Sequence, residues 1–163
     1  MATTVVPASP WERQVGLLMR DHYRATRSGP HPPRPQPRYY PAPMPKKLVI
    51  KVTAGADAPE RCSQAFTVAA VAVASGVEVS LWLTGESAWF ALPGRAAEFE
   101  LPHAAPLPDL LDSVLAGGTL TLCTQCAARR NITEKDVLDG VRIAGAQLFV
   151  QEALADDTQA LVY

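Results

Sequence analysis

The chain has 163 residues, and its hydrophobic content of 48% excludes a disordered segment and allows one domain with a sizeable core. The formal net charge of -1 divides unevenly, because residues 1–47 carry eight Lys and Arg against two acids, and residues 48–163 carry seven against fourteen. This split predicts either a basic arm that meets an acidic partner, its own body included, or an arm with weak affinity for nucleic acid or a membrane surface.

The charge and cysteine patterns also narrow the class of protein. Aromatic and basic residues do not interleave densely, so nucleic acid is not the preferred partner. The three cysteines are an odd number, and no secretory apolar region precedes them. We therefore expect a protein of the reducing cytoplasm, without a disulfide scaffold. No apolar run approaches the ~20 residues of a membrane span, which predicts a soluble protein without a membrane partner.

Residues 1–29 form the first predicted unit, an amphipathic helical arm. Ser9 is placed as N-cap, Pro10 at the first helical position and Glu12 as the partner in a capping box, with the helix running to about Arg27. Its apolar stripe is expected to pack on its own body or on a neighbouring subunit. A docking helix for a different protein is the alternative.

Residues 30–45 form a proline-rich linker, with eight prolines in sixteen residues. Missing N–H donors exclude a helix or a central strand, so the segment is expected to be extended polyproline II or irregular chain. A semi-rigid spacer is the preferred interpretation, and a ligand for SH3-like domains is the alternative.

Residue 46 opens the body of the protein. Leu48–Thr53 and Val77–Leu83 have the composition of buried strands, and Pro59–Ser75 between them is helical, which predicts a right-handed parallel βαβ unit. The helix is apolar on more than one face, so we expect it to pack on the sheet and on another subunit. The loop Ala54–Asp57 lacks the spacing of a dinucleotide fingerprint or a P-loop, which argues against nucleotide binding through those motifs.

Alternating elements continue to the end of the chain. The predicted segments are short helices at Glu86–Leu92 and Pro108–Ala116, a strand ending at Cys123, a helix starting at Thr133, a longer helix over Ile143–Ala155 packed through Leu148, Phe149 and Leu154, and a last strand over Thr158–Tyr163. This alternation predicts an α/β fold: a three-layer, flavodoxin-like or Rossmann-like domain with a mostly parallel sheet over residues 46–163.

Two cysteines three residues apart lie where a strand is expected to run into a helix. Cys123 is placed on the corner and Cys126 about one turn inside, at the sheet edge where open α/β sheets place their sites. Unpaired N–H groups and the dipole of a first helical turn favour a thiolate, so Cys123 is the candidate nucleophile. Arg129 and Arg130 follow and are candidates to add positive potential at the same anion.

Other interpretations of the pair remain open. A thioredoxin-like dithiol fits the spacing, with Cys126 as resolving thiol, but the aromatic, Gly and Pro residues typical of that motif are absent. Two inert buried thiols are a further alternative. A metal site is not expected, because no paired ligand spacing accompanies the cysteines, and no cofactor is predicted. Cys62 is interpreted as a buried apolar residue. Glu86 is either a solvated helix-start acid or a proton donor at the site.

The body resembles the DsrE/DsrF-like family, which includes sulfur-relay subunits of TusD type and YchN-type proteins. The matching blocks, in order, are KLVIKVTAGADAPERCSQAF, GVEVSLWLTGESAWFAL, CTQCAARRNI and ITEKDVLDGVRIAGAQLFVQEA. The resemblance implies a persulfide on Cys123. Cys126 matches a second cysteine that only some branches of the family have, and Asn131 stands where the family usually has glycine. It further implies protein donors and acceptors of sulfur, and homo-oligomers from dimers through trimers to hexamers.

The sequence therefore predicts a cytoplasmic sulfur-relay protein, acting as a sulfurtransferase-type carrier or a thiol-dependent reductase. Cys123 carries the persulfide in this hypothesis, Cys126 resolves it, and Arg129, Arg130 and Glu86 support it. The alternative hypothesis is a non-catalytic oligomeric interaction or scaffold protein whose N-terminal arm docks a partner.

Overall fold

A computed structural model describes residues 46–163, so the predicted arm and the proline-rich linker lie outside the described residues. The described part contains five strands, β1 Lys47–Val52, β2 Glu78–Leu83, β3 Thr119–Cys123, β4 Val141–Ala144 and β5 Thr158–Val162. Its α-helices are α1 Pro59–Ala74, α2 Leu107–Gly117, α3 Thr124–Arg129 and α4 Ala146–Ala153, and two 3-10 helices span Gly85–Ala91 and Arg95–Glu98.

The five strands form one sheet in the order β4-β3-β2-β1-β5, and every neighbouring pair is parallel. The α/β prediction and the parallel sheet are therefore confirmed. Parallel strands need crossover connections, and the helices between them provide these. Because all strands point the same way, the loops that follow β1, β2 and β3 meet at one edge, the carboxyl edge of the sheet.

One face of the sheet, which we call the apolar face, carries only aliphatic side chains in its three central strands. Val52, Leu83 and Leu122 are in register there, as are Ile50, Leu81 and Leu120 in the row below. Helices α1 and α2 cover this face, and the resulting core is almost completely inaccessible to solvent. Its helical members are Cys62, Ala65, Phe66, Ala69, Leu107, Leu111 and Val114.

The opposite face, which we call the polar face, carries polar and charged side chains as well as an aromatic one. One row across β1 to β4 consists of Lys51, Trp82, Thr121 and Arg142. Helix α4 joins β4 and β5, the two outer strands, and therefore crosses this face; none of its residues is fully buried. Helices thus lie on both sides of the sheet, as a three-layer arrangement requires.

In the last third of the chain, one predicted helix is wrong and another is shorter than predicted. The segment after Thr133 is a turn, because the Asp136 carboxylate accepts both the Thr133 N–H and its hydroxyl, which satisfies these groups without a helix. The segment Ile143–Ala155 is divided into strand β4 and helix α4. Gly145, in an extended conformation, is the N-cap between them. Leu154, expected to pack, is 79% exposed.

Helix α1 is apolar beyond its buried side, as the sequence indicated. Val71 is 60% exposed, and an apolar groove of about 340 Å³ runs beside it, lined by Leu48, Thr67, Val68, Val71, Ala72, Ser75 and Val77. Within residues 46–163, no helix has both the length and the apolar character that crossing a membrane takes.

Candidate functional site

The cysteine corner has the predicted local geometry. Cys123 is the last residue of β3 and the N-cap of α3, with an extended backbone at φ -66° and ψ 125°, and Cys126 is the third residue of the helix. These are the N-cap and N3 positions of the helix, so both cysteines lie in its first turn. The Cys123 side chain forms no capping hydrogen bond.

The three cysteines differ in their access to solvent. Cys62 is 0% exposed and Cys126 is 6% exposed, whereas Cys123 is partly exposed. Burial, together with the negative charge of Asp57, raises the pKa of the Cys62 thiol to about 12. Since the thiolate is the reactive form, Cys62 is chemically inert at neutral pH. Cys123 is the cysteine that a reagent or a partner protein reaches first.

The sulfur of Cys126 is held by the loop that follows β2. The backbone N–H of Gly85 donates to Cys126 Sγ at 3.3 Å. Gly85 has a positive φ of 53°, and a Cβ atom there would lie 2.5 Å from the carbonyl oxygen of Thr53. The next residue, Glu86, donates its backbone N–H to the same carbonyl at 3.0 Å. The loops after β1 and β2 and the cysteine corner are therefore joined at the carboxyl edge, as parallel topology predicts.

Glu86 and Arg130 are brought together beside Cys126. Arg130 Nη2 lies 2.6 Å from Glu86 Oε1, and Nη1 donates to the Cys126 carbonyl at 3.4 Å. The guanidinium lies 5.4 Å from the centre of the Trp89 ring, in cation–π range. Arg130 is thus fixed by Glu86 and Trp89. Arg129, in the last turn of α3, is exposed.

One further feature of this edge was not recognised in the sequence. Trp89 lines two cavities of about 340 and 350 Å³, one reaching Glu86 and Phe99 and the other reaching Arg130 and Asp136. Asn131, at the position where the resemblance expects glycine, has a φ of 55° and takes the left-handed conformation that glycine adopts most easily. Among residues 46–163, no three His, Cys, Asp or Glu side chains come together as a metal site would require.

A partly buried polar network connects α4 to the polar face. Glu152 Oε2 accepts hydrogen bonds from Ser80 Oγ at 2.6 Å and from Trp82 Nε1 at 2.9 Å, and Oε1 accepts from Arg142 Nη2. Arg142 Nε donates to Thr121 Oγ1 at 2.7 Å. Burial opposes ionisation of Glu152, but the hydrogen bonds from Ser80, Trp82 and Arg142 outweigh it and lower the pKa of this carboxyl.

Sequence reasoning did not identify this network, because it arises from strand register. The signal that would have revealed it is the Val-Arg-Ile alternation at 141–143, which is typical of a strand with one polar face. Arg142 and Thr121 are in register on β4 and β3, two residues before Ala144 and Cys123. The network therefore lies on the same face of the sheet as Cys123, one step away along the strand.

Comparisons with known proteins agree with this architecture. The sequence pattern of the DsrE/DsrF-like family matches residues 46–159. An uncharacterized protein of Methanocaldococcus jannaschii is 30% identical over 105 residues, which are 64% of this chain and 38% of that protein. This chain thus spans well under half the length of that relative. The crystal structure of the YchN protein from E. coli superposes with a TM-score of 0.60 and 20% identity, over 74% of this chain and all of that one, and it shows the shared fold. The chain belongs to the DsrE/DsrF-like family.

Proposed function

We propose that this protein is a cytoplasmic sulfur-relay carrier that holds sulfane sulfur as a persulfide on Cys123. The observation that supports it most is the contrast among the cysteines. Cys123 ends β3 at the carboxyl edge and is partly exposed, whereas Cys126 and Cys62 are buried. A carrier needs one thiol that a donor and an acceptor can both reach. The resemblance to sulfur-relay members of the family supports the same residue.

The loading step is a thiol exchange on sulfane sulfur. The Cys123 thiolate attacks the outer sulfur of a donor persulfide, R–S–SH. The bond from Cys123 Sγ to that sulfur forms, the donor S–S bond breaks, and R–S⁻ leaves with the negative charge. The product is Cys123–S–SH, and no oxidant or reductant is consumed. Transfer to an acceptor cysteine repeats this chemistry in the opposite direction.

Cys126 offers a second route, in which sulfur is released. Its thiolate attacks Sγ of the Cys123 persulfide, an internal disulfide forms, and HS⁻ departs. An external dithiol reductant is then needed to restore both thiols. Gly85 donates to Cys126 Sγ and keeps it beside the corner, and it would stabilise negative charge that develops on that sulfur. Arg130 and Glu86 support the helix that carries both cysteines.

A sulfur-relay protein works with partner proteins, and two surfaces of this chain are candidates to contact them. The exposed apolar side of α1 at Val71 suits a contact with another subunit, so we propose a homo-oligomer of this body. The donor and acceptor proteins are expected to approach the carboxyl edge. The scaffold hypothesis depends on the N-terminal arm, which lies outside the described residues, and it stays a prediction.

Intact-mass spectrometry with cysteine variants tests the proposal. Incubation with a small-molecule persulfide donor should add about 32 Da to the protein, and Cys123→Ser should abolish the gain. Cys62→Ser is the matched control and should load like the natural protein. Cys126→Ser should load and hold the sulfur longer, because the internal release route is gone. Loading that survives in Cys123→Ser would contradict the proposal.

A further inference from the structure

Arg142 places a positive charge on the sheet face that carries Cys123. Strand register pairs Arg142 with Thr121 and pairs Ala144 with Cys123. Alternate residues of a strand point to the same face, so Arg142 and Cys123 share the polar face in adjacent rows, about 6–7 Å apart along the strands. Because the two residues lie on neighbouring strands, they are diagonal neighbours about 7–8 Å apart, which is within reach of long side chains.

The hydrogen bonds of Arg142 determine how this charge is oriented. Its Nε donates to Thr121 Oγ1 and its Nη2 to Glu152. The other carboxylate oxygen of Glu152 is held by Ser80 and Trp82. Ser80 lies in the row on the far side of Arg142 from Cys123. The carboxylate is therefore anchored away from the cysteine, and the guanidinium lies between the two.

The residues beside Cys123 on this face are small. Ala144, its partner in register, is partly exposed, and the next two residues, Gly145 and Ala146, are small and exposed. The Arg142 side chain is itself 39% exposed. By contrast, the Arg130 side chain is 14% exposed and is paired with Glu86. Of the two arginines, Arg142 is the more exposed, and it lies on the sheet face that carries Cys123.

We propose that Arg142 attracts a sulfur donor that carries negative charge on or next to its sulfane sulfur, and stabilises the charge on the sulfur atoms during transfer. This inference rests on the proposed function, because it names the substrate class of the same site. In the loading step, the charge of the Cys123 thiolate passes to the leaving thiolate, and the total charge is unchanged. A fixed cation beside the reacting sulfurs favours each anionic species along this path.

The experiment compares a negatively charged and a neutral reagent at one thiol. In a protein with Cys62→Ser and Cys126→Ser, Cys123 is the remaining cysteine, and its alkylation rates with iodoacetate and iodoacetamide are measured at one pH. Both reagents consume the same thiolate, so the ratio of their rates isolates attraction of the anion. Arg142→Met should lower this ratio about threefold, as expected for one charge at this separation in a partly aqueous setting.

Two further variants give the sign of the effect. Arg142→Lys keeps the charge and should retain most of the ratio, whereas Glu152→Gln removes the opposing charge and should raise it. Lys46→Met removes an exposed cation immediately before β1, at the opposite edge of the sheet, and as the matched control it should leave the ratio unchanged. If Arg142→Met does not fold, the rise of the ratio expected for Glu152→Gln still decides the question.

Several outcomes would overturn the inference. An equal loss of both rates in Arg142→Met would show a structural role alone, and an equal fall of the ratio in Arg129→Met would assign the charge to that residue. A ratio that does not rise in Glu152→Gln would also contradict it. The two hypotheses can fail independently. If the protein does not load persulfide but Arg142→Met still lowers the ratio of rates, the sulfur-carrier proposal is rejected and the role of the Arg142 charge is supported.

Discussion

The two faces of the sheet differ in what holds them to their helices. The apolar face buries rows of aliphatic side chains under α1 and α2. The polar face contacts α4 through the Glu152 carboxylate, which has three hydrogen-bonding partners, and through Phe149 against Trp82. Burial of aliphatic surface is non-directional and proportional to area, so the first face determines that the chain folds. Hydrogen bonds are directional, so the second face determines where particular atoms lie.

This difference explains why the candidate chemistry belongs to the polar face. Cys123 follows Thr121 by two residues on the same face of β3, and its partner in register, Ala144, is followed by small, exposed residues. A reacting sulfur needs fixed dipoles and an open approach, which an aliphatic core does not supply. The apolar face instead encloses Cys62 and makes it inert.

The largest loss of stability is expected from a substitution in the apolar face. Leu81→Ala removes a side chain with 0% exposure at the centre of the sheet, and should lower the free energy of unfolding by about 3–4 kcal/mol. Leu154→Ala is a matched control, because that leucine is 79% exposed, and it should change stability by less than about 0.5 kcal/mol. Urea denaturation followed by circular dichroism measures both. Equal effects would show that the core is assigned wrongly.

The polar face should respond to the loss of its carboxylate. Glu152→Ala leaves Ser80, Trp82 and Arg142 without their shared acceptor, and should cost about 2–3 kcal/mol in the same denaturation experiment. The exposed acid Glu134 provides the control, and Glu134→Ala should cost less than about 0.5 kcal/mol.

The contribution of Glu152 should also depend on pH. Its pKa is lowered in the folded protein, so the stabilisation is complete above the unfolded-state pKa of about 4.3 and is lost as the pH falls through the folded-state pKa. The stability difference between the natural protein and Glu152→Gln should therefore be constant from pH 7 to about 5 and shrink below about 4. A difference that grows in acid would contradict the network.

Two glycine substitutions test the close approach of the loops after β1 and β2 at the carboxyl edge of the sheet. Gly85→Ala forces a methyl group to within 2.5 Å of the Thr53 carbonyl oxygen at a positive φ, and should cost about 2 kcal/mol. Gly76→Ala is a matched control, since its φ of 78° is also positive but no atom lies within 4 Å of the added Cβ, and strain alone should cost about 1 kcal/mol. Equal costs would argue against the close approach.

The smallest effect concerns Lys51, the charged member of the polar row on β1. Its Nζ lies 4.9 Å from the centre of the Phe149 ring, and Phe149 packs edge-on against Trp82. Lys51→Met retains the aliphatic length and removes the cation, and should cost about 0.5 kcal/mol in urea denaturation. A cost above about 2 kcal/mol would mean that this face depends on Lys51 as much as on Glu152.

Sequence reasoning predicted the parts of the fold that follow from local pattern. The βαβ unit over residues 48–83 and the cysteine corner were predicted because aliphatic runs, Pro59 and Gly76 mark their limits. Strand β4 was not predicted, because its four residues continue into an apolar segment with helical spacing. The interaction partners of Arg142 and Arg130 were not predicted either. They depend on register between strands and on the direction of a short helix, which no single segment contains.

Locating the sulfur atom after loading tests the central claim most directly. Cys123 and Cys126 share one tryptic peptide, because no Lys or Arg separates them, so fragment-ion mass spectrometry must distinguish the two after the persulfide is trapped by alkylation. The account predicts that the added sulfur lies on Cys123 in the protein with all three cysteines present. Sulfur on Cys126, or spread evenly over Cys62, Cys123 and Cys126, would contradict it.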